Sequence, residues 1–183
     1  WQFDESLVRD TFIALSEAGV DVMEIGYQTS PGFYDRAQVG PWRFCNEEDL
    51  RRVCVDTKMK VSCMLDIGRI EVKDLRPAND SVVDVLRVAT YADDIEEAVS
   101  LLHAAKDLGY EVYCNVMAVT GCSPQQVDHF LSILHDSSVD NIAVVDSFGA
   151  MYPHHVRYLM RKYKNWLRPE QCVGVHLHNN QET

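Results

Sequence analysis

A helical run, a glycine and a short β-rich run follow one another repeatedly along this chain, and that order leaves few folds open. In "ALSEAGVDVMEIGY" and "AAKDLGYEVYCNV" an amphipathic stretch ends at a glycine and a strand-like stretch starts at once. Gly19 and Gly109 suit the position just past a helix, where a left-handed backbone costs glycine little. The pattern extends to six β-rich runs, at residues 22–26, 61–66, 85–90, 112–118, 142–146 and 173–178, with starts about 30 residues apart. That interval is one βα unit, and consecutive units imply parallel strands joined by right-handed crossovers. Helix starts are legible as well: Asp4 before "ESLVRDTFIALSEA", Asp93 or Asp94 before "IEEAVSLLHAAKDL", and Ser123-Pro124 before "QQVDHFLSIL". Two segments stand apart. "GRIEVKDLRPANDS" reads as an irregular loop with a short helix at most, and "QTSPGFYDRAQVGPWRFCN" is a long loop of the kind that is functional or mobile.

With 183 residues, 46% of them hydrophobic, the chain can bury a sizeable core and is expected to form one domain over residues 1–183. A formal charge of −11 opposes phosphate backbones and acidic membrane surfaces, so the expected partner is a small molecule, not nucleic acid and not a membrane. The absence of a long apolar run or a signal-like start gives the expectation of a soluble, cytoplasmic protein. Six scattered cysteines with no CxxC pair indicate neither a disulfide framework nor a structural zinc site.

Strand side chains alternate between faces. In "VGVHLHNN" the rule sends Val175 and Leu177 toward helices and His176 and His178 to the other side; in "VMEIGY" it sets Glu24 and Gly26 against Met23 and Ile25. Asp66, Arg87, Asn115 and Asp146 likewise fall late in their strands, opposite an apolar set. Every strand thus supplies a polar group to one side, and the carboxyl ends of parallel strands are where such folds keep their sites. Arg87 with Glu24 or Asp66 is equally well read as a satisfied ion pair, and Asp66 as a cap starting its loop. His103, His129, His135, His154 and His155 read as surface residues. His176 and His178, two imidazoles at i and i+2 on one strand face, converge and can ligate one metal ion. Asn179 or Asn180 would orient them or the substrate.

From Val85 onward, "VLRVATYADDIEEAVSLLHAAKDLGYEVYCNVMAV", "VVDSFGAMYPHHVRYLM" and "QCVGVHLHNN" resemble the metal-dependent pyruvate aldolases of the 4-hydroxy-2-oxovalerate aldolase type. These belong to a TIM-barrel superfamily with hydroxymethylglutaryl-CoA lyase and isopropylmalate synthase, whose second strand "GVDVMEIGY" resembles. The resemblance implies an α/β fold, a (β/α)8 barrel of which this chain holds about strands 2 to 7. It implies a divalent metal on His176 and His178, with Mn²⁺ first and Mg²⁺, Co²⁺ or Zn²⁺ as alternatives, and Ser147 beside the substrate carboxylate. Asn115 and Asp146 join Ser147 as substrate-binding candidates, and Glu24 and Arg87 are the catalytic ones, with Tyr27 a further substitute for the base. The implied reaction cleaves a 4-hydroxy-2-oxo acid to pyruvate and an aldehyde through a metal-stabilised enolate. The alternatives are a Claisen-type acyl-CoA condensation on the same metal site, or a non-catalytic small-molecule-binding relative. The family's first-strand Asp and Arg, a metal ligand and an enolate stabiliser, have no counterpart before Asp4, so a fragment of a longer chain is expected. The loop after the first strand does not look like the glycine-rich loop of the hydroxyoxovalerate enzymes, which argues against their aldehyde dehydrogenase partner. A homo-oligomer is compatible with the sequence but not read from it.

Overall fold

The computed structural model describes residues 1–55 and 57–180. Its six strands, β1 (Val22–Gln28), β2 (Lys60–Leu65), β3 (Val85–Thr90), β4 (Glu111–Val116), β5 (Asn141–Asp146) and β6 (Cys172–Leu177), lie in one sheet in chain order. The pairs β1/β2, β4/β5 and β5/β6 are parallel, as βα units require. The helices are α1 (Glu5–Glu17), α2 (Arg36–Val39), α3 (Glu47–Val53), α4 (Ile95–Asp107), α5 (Pro124–Asp136) and α6 (Pro153–Trp166). Among the described residues no helix is long and apolar enough to cross a membrane. The chain forms two compact units, Trp1–Arg87 with Asp107–Glu111, and Val88–Lys106 with Val112–Thr183.

In the first unit, α1 buries Val8 and Phe12, and Gly19 follows it at φ +78°. Strand β1 then breaks the alternation expected of it. Glu24 pairs with Ser62 and Gly26 with Cys63, so Ile25 is an extra residue opposite no partner. A bulge of this kind shifts the phase of everything after it. Gly26 is needed here for a different reason: a Cβ would come within 2.0 Å of the Trp42 carbonyl oxygen. The segment behind that contact is not loose. Trp42 is 1% exposed and its indole N–H donates to the Phe3 carbonyl at 2.8 Å. The 68–81 stretch holds two short 3₁₀ turns, Val72–Asp74 and Ala78–Asp80, where the sequence suggested an irregular loop with one short helix at most.

In the second unit, α5 places Val127, Phe130, Leu131 and Leu134 in the core, with Phe130 edge-on to the Tyr163 ring at 6.0 Å. Its start is as the Ser-Pro pair predicts: the Ser123 hydroxyl accepts from Gln126 N–H, and the Gln126 side chain accepts in return from Ser123 N–H at 2.9 Å. This reciprocal cap satisfies two donors that the first turn leaves orphaned. Ser123→Ala is expected to lower stability by about 1 kcal/mol, read from urea denaturation, without altering any site residue. Two expectations fare differently. Asp4 caps α1 in backbone only, with no side-chain hydrogen bond. Val175 and Leu177 are 50% and 47% exposed instead of covered, because β6 is the last strand in the sheet and an edge strand is covered less completely.

The six cysteines are free thiols. Burial pushes Cys114 and Cys54 up to about 12, and a hydrogen bond with Cys45 together with burial raises Cys63. These groups pack as small hydrophobes.

Candidate functional site

The second unit assembles the histidine pair around the carboxyl end of β5. The His176 and His178 rings lie 5.2 Å apart, centroid to centroid, inclined by 60°. His178 Nδ1 is 2.7 Å from the main-chain carbonyl of Asp146. A carbonyl only accepts, so Nδ1 carries the hydrogen, and Nε2 is the ring nitrogen left for a metal. Fixing one ring nitrogen in this way orients metal-binding histidines and sets their tautomer. Both residues are exposed. Among the described residues no group of three His, Cys, Asp or Glu side chains is placed to hold a metal ion. The chain therefore offers two imidazole donors of suitable kind and leaves further positions to oxygen ligands.

The carbonyl that holds His178 is itself held. Asp146 is 1% exposed, and its carboxylate accepts from the N–H groups of Ala150 at 3.1 Å and Met151 at 2.8 Å. This closes the turn that follows β5. Gly149 sits in that turn at φ +59°, and a Cβ there would meet Asn180 at 2.8 Å. Asn180 donates to the Phe148 carbonyl at 2.9 Å, so the segments after β5 and β6 are tied together. Ser147 stands in the same turn. Its hydroxyl oxygen accepts from Ala118 N–H at 2.8 Å, which leaves the hydroxyl hydrogen to donate elsewhere. Ala118 holds its position in a left-handed conformation at φ +54°. Asn115 is buried in β4 opposite Ala143.

The first unit holds the other predicted pair. Arg87 grips Glu24 with two hydrogen bonds, Nε to Oε2 at 2.6 Å and Nη2 to Oε1, a planar fork that matches a carboxylate. The two side chains are 16% and 28% exposed. The ion pair weighed from the sequence is thus formed, and it leaves Glu24 engaged at both oxygens.

Arg43 and Tyr34, which sequence reasoning passed over, join Tyr27 and Asp66 in the same unit. Arg43, 8% exposed, lies over the Tyr27 ring at 4.0 Å and the Tyr34 ring at 4.8 Å, and donates to the Tyr34 hydroxyl at 3.0 Å and to Asp66. Burial alone would lower the Arg43 pKa; hydrogen bonds to Asp66 and Tyr34 outweigh it and raise the value. Asp66 also takes Arg69 at 2.9 Å, so its carboxylate serves two guanidiniums and does not cap the loop. A cleft of about 600 Å³ opens beside this group, lined by residues from three segments, 28–36, 44–48 and 70–76. The "GPWRFC" run was the available signal: an arginine directly after a tryptophan in a Gly-Pro loop is an odd thing to expose. His103, His129, His154 and His155 are on the surface, while His135, half-buried, has Nδ1 2.7 Å from the Trp166 carbonyl.

Comparison with known proteins agrees with this arrangement of strands and turns. The chain is 28% identical over 183 residues to 4-hydroxy-2-oxovalerate aldolase 6 of Rhodococcus jostii (strain RHA1), covering 98% of this chain and 51% of the relative. It is 29% identical over 181 residues to the 4-hydroxy-2-oxovalerate aldolase of Bacillus cereus (strain ATCC 10987 / NRS 248), covering 98% and 52%. The chain thus spans about half the length of the curated relatives it matches. A crystal structure of the N-terminal domain of a Bacteroides vulgatus protein, described as a candidate aldolase, superimposes with a TM-score of 0.80 at 27% identity, over 99% of this chain and 60% of that one. The family model described as HMGL-like matches residues 2–183, and with nearly its whole length inside that match, the chain belongs to the HMGL-like family.

Proposed function

We propose that the protein is a divalent-metal-dependent carbon–carbon lyase that cleaves a 4-hydroxy-2-oxo acid to pyruvate and an aldehyde. The observation that carries this reading is the histidine pair, with His178 fixed through Nδ1 so that Nε2 is left for a metal. His176 and His178 would hold the ion. When bound, a divalent cation supplies the positive charge against which negative charge developing on the 2-oxo oxygen is stabilised. Imidazole with oxygen donors suits Mn²⁺, Co²⁺, Zn²⁺ or Mg²⁺, and we favour Mn²⁺.

Cleavage breaks the C3–C4 bond, leaves its electron pair on C3 and takes the proton from the 4-hydroxyl. The chain's own residues contribute positioning. Ser147, with its oxygen already accepting from Ala118, has its hydroxyl hydrogen to donate to the substrate carboxylate. Asp146 acts through its main-chain carbonyl on His178 and through its carboxylate on the turn that carries Ser147. In the first unit, Glu24 serves to hold Arg87 as a fixed cation and not as the base, since Arg87 occupies both of its oxygens. Names of the relatives support the reaction class.

The test is pyruvate release from 4-hydroxy-2-oxovalerate by the full-length protein before and after chelation. Chelation is expected to reduce the rate by about a hundredfold or more, and Mn²⁺ to restore it. Release that survives chelation, or none from metal-loaded protein, would overturn the proposal.

A further inference from the structure

Two arginines in the first unit share one carboxylate, which leaves a positive charge unmet at the carboxyl end of its strands. Asp66, directly after β2, accepts from the buried Arg43 and from Arg69 at 2.9 Å, and among the described residues no other carboxylate bonds to either guanidinium. Glu71, two residues beyond Arg69, is taken by Lys73 at 2.5 Å. In a chain whose formal charge is −11, a local excess of cation is not background. The position matters too. Tyr27 and Asp66 stand at the carboxyl ends of β1 and β2, which pair in parallel, and that end is where parallel sheets keep their ligands.

The donors of this group are held in place and open. Arg43 lies over the Tyr27 and Tyr34 rings, and Arg69 over the Tyr34 ring at 5.4 Å. Ring contacts of this kind fix a guanidinium without consuming its N–H groups. The main chain of Arg69 is fixed as well: its N–H donates to the Asp66 carbonyl at 3.0 Å and its carbonyl accepts from Ser30 N–H at 2.9 Å. Among the described residues Arg43 bonds only through Nη2, and Arg69 only through Nη1. The sealed side-chain atoms without a partner among those residues are Thr29 Oγ1 and the Tyr163 hydroxyl, so the unbonded Nε and Nη1 of Arg43 open to solvent. The Arg69 side chain is 50% exposed. The Tyr34 oxygen accepts from Arg43 at 3.0 Å, which leaves the phenol hydrogen to donate. One unmet positive charge suits a monoanion, and planar N–H forks suit a carboxylate. A phosphate dianion would overshoot the charge, a neutral ligand would leave it unmet, and two guanidiniums repel a cation. We propose that Arg43, Arg69 and the Tyr34 hydroxyl bind the carboxylate of a small organic acid.

The experiment is saturation-transfer NMR on the full-length protein with acetate, succinate and benzoate as carboxylate probes and acetamide and benzamide as their neutral counterparts. Inorganic phosphate is followed by ³¹P line width. The titrations are repeated on Arg69→Gln, which removes an exposed cation and leaves the Arg43 to Asp66 contact in place, and on Tyr34→Phe, which removes the hydroxyl and keeps the ring. At least one carboxylate is expected to bind, with Kd weaker by about 10- to 100-fold in Arg69→Gln and about tenfold in Tyr34→Phe, and unchanged by chelation. No carboxylate binding, an amide or phosphate binding as tightly, or binding indifferent to either substitution would overturn the proposal. Loss of binding on chelation would likewise assign the probe to the metal site and overturn it, whereas failure of the lyase reading leaves this result unchanged.

Discussion

His176→Ala and His178→Ala are each expected to strip the full-length protein of its divalent ion while leaving it folded. Losing a partner that merely orients a metal ligand costs about 10- to 100-fold in affinity, so losing a ligand itself should cost more than about 100-fold. Both imidazoles are exposed, so truncation opens no cavity, and stability is expected to stay within about 0.5 kcal/mol of the parent. Elemental analysis of dialysed protein reads the first effect, circular-dichroism melting the second, and pyruvate release should fall with the metal. A variant that melts far below the parent but keeps its ion would show that the pair serves the fold instead.

Asp146→Ala should produce the largest loss of stability of any single change near this site, about 2–4 kcal/mol. The carboxylate is buried and accepts from two main-chain N–H groups, one of them on the buried Met151, and alanine leaves both without a partner. Asp146→Asn keeps one acceptor oxygen and should cost roughly half as much. Both variants should weaken metal binding about 10- to 100-fold, because the carbonyl of the same residue orients His178. Urea denaturation and a Mn²⁺ titration read the two effects together. If Asp146 touched substrate instead, Asp146→Asn would raise KM at unchanged stability and unchanged metal affinity.

Much of the architecture was legible because it is punctuated locally. Gly19 and Gly109 end helices at positive φ, Ser123-Pro124 opens α5, and the six β-rich runs fall within a residue or two of the strands. What escaped was decided by particular partners, some distant in sequence and some in the turn just ahead. The extra residue at Ile25 depends on how β1 meets β2, so strict alternation could not be carried through it to Tyr27. Asp146 looked like a substrate contact because its position in the strand gave the side of the sheet but not the N–H groups of the turn ahead. Glu24 and Arg87, 63 residues apart, were legible as alternatives, and the two-point contact between them is what the fold adds. The long 28–46 loop was legible as functional or mobile, but the cleft was not, because its three lining segments carry no common pattern.

The contact between Gly26 and the Trp42 carbonyl has a bearing on how this chain can diversify. The wall of the cleft rests on main chain against main chain, so its attachment does not depend on which side chains face the opening. Residues 31–33, exposed and outside these contacts, can therefore drift, lengthen or be replaced while 26, 42 and 43 stay fixed, in the way a hinge pin outlasts successive doors. A lineage, or a protein engineer, that preserved those three positions could change what the opening admits without re-inventing the frame.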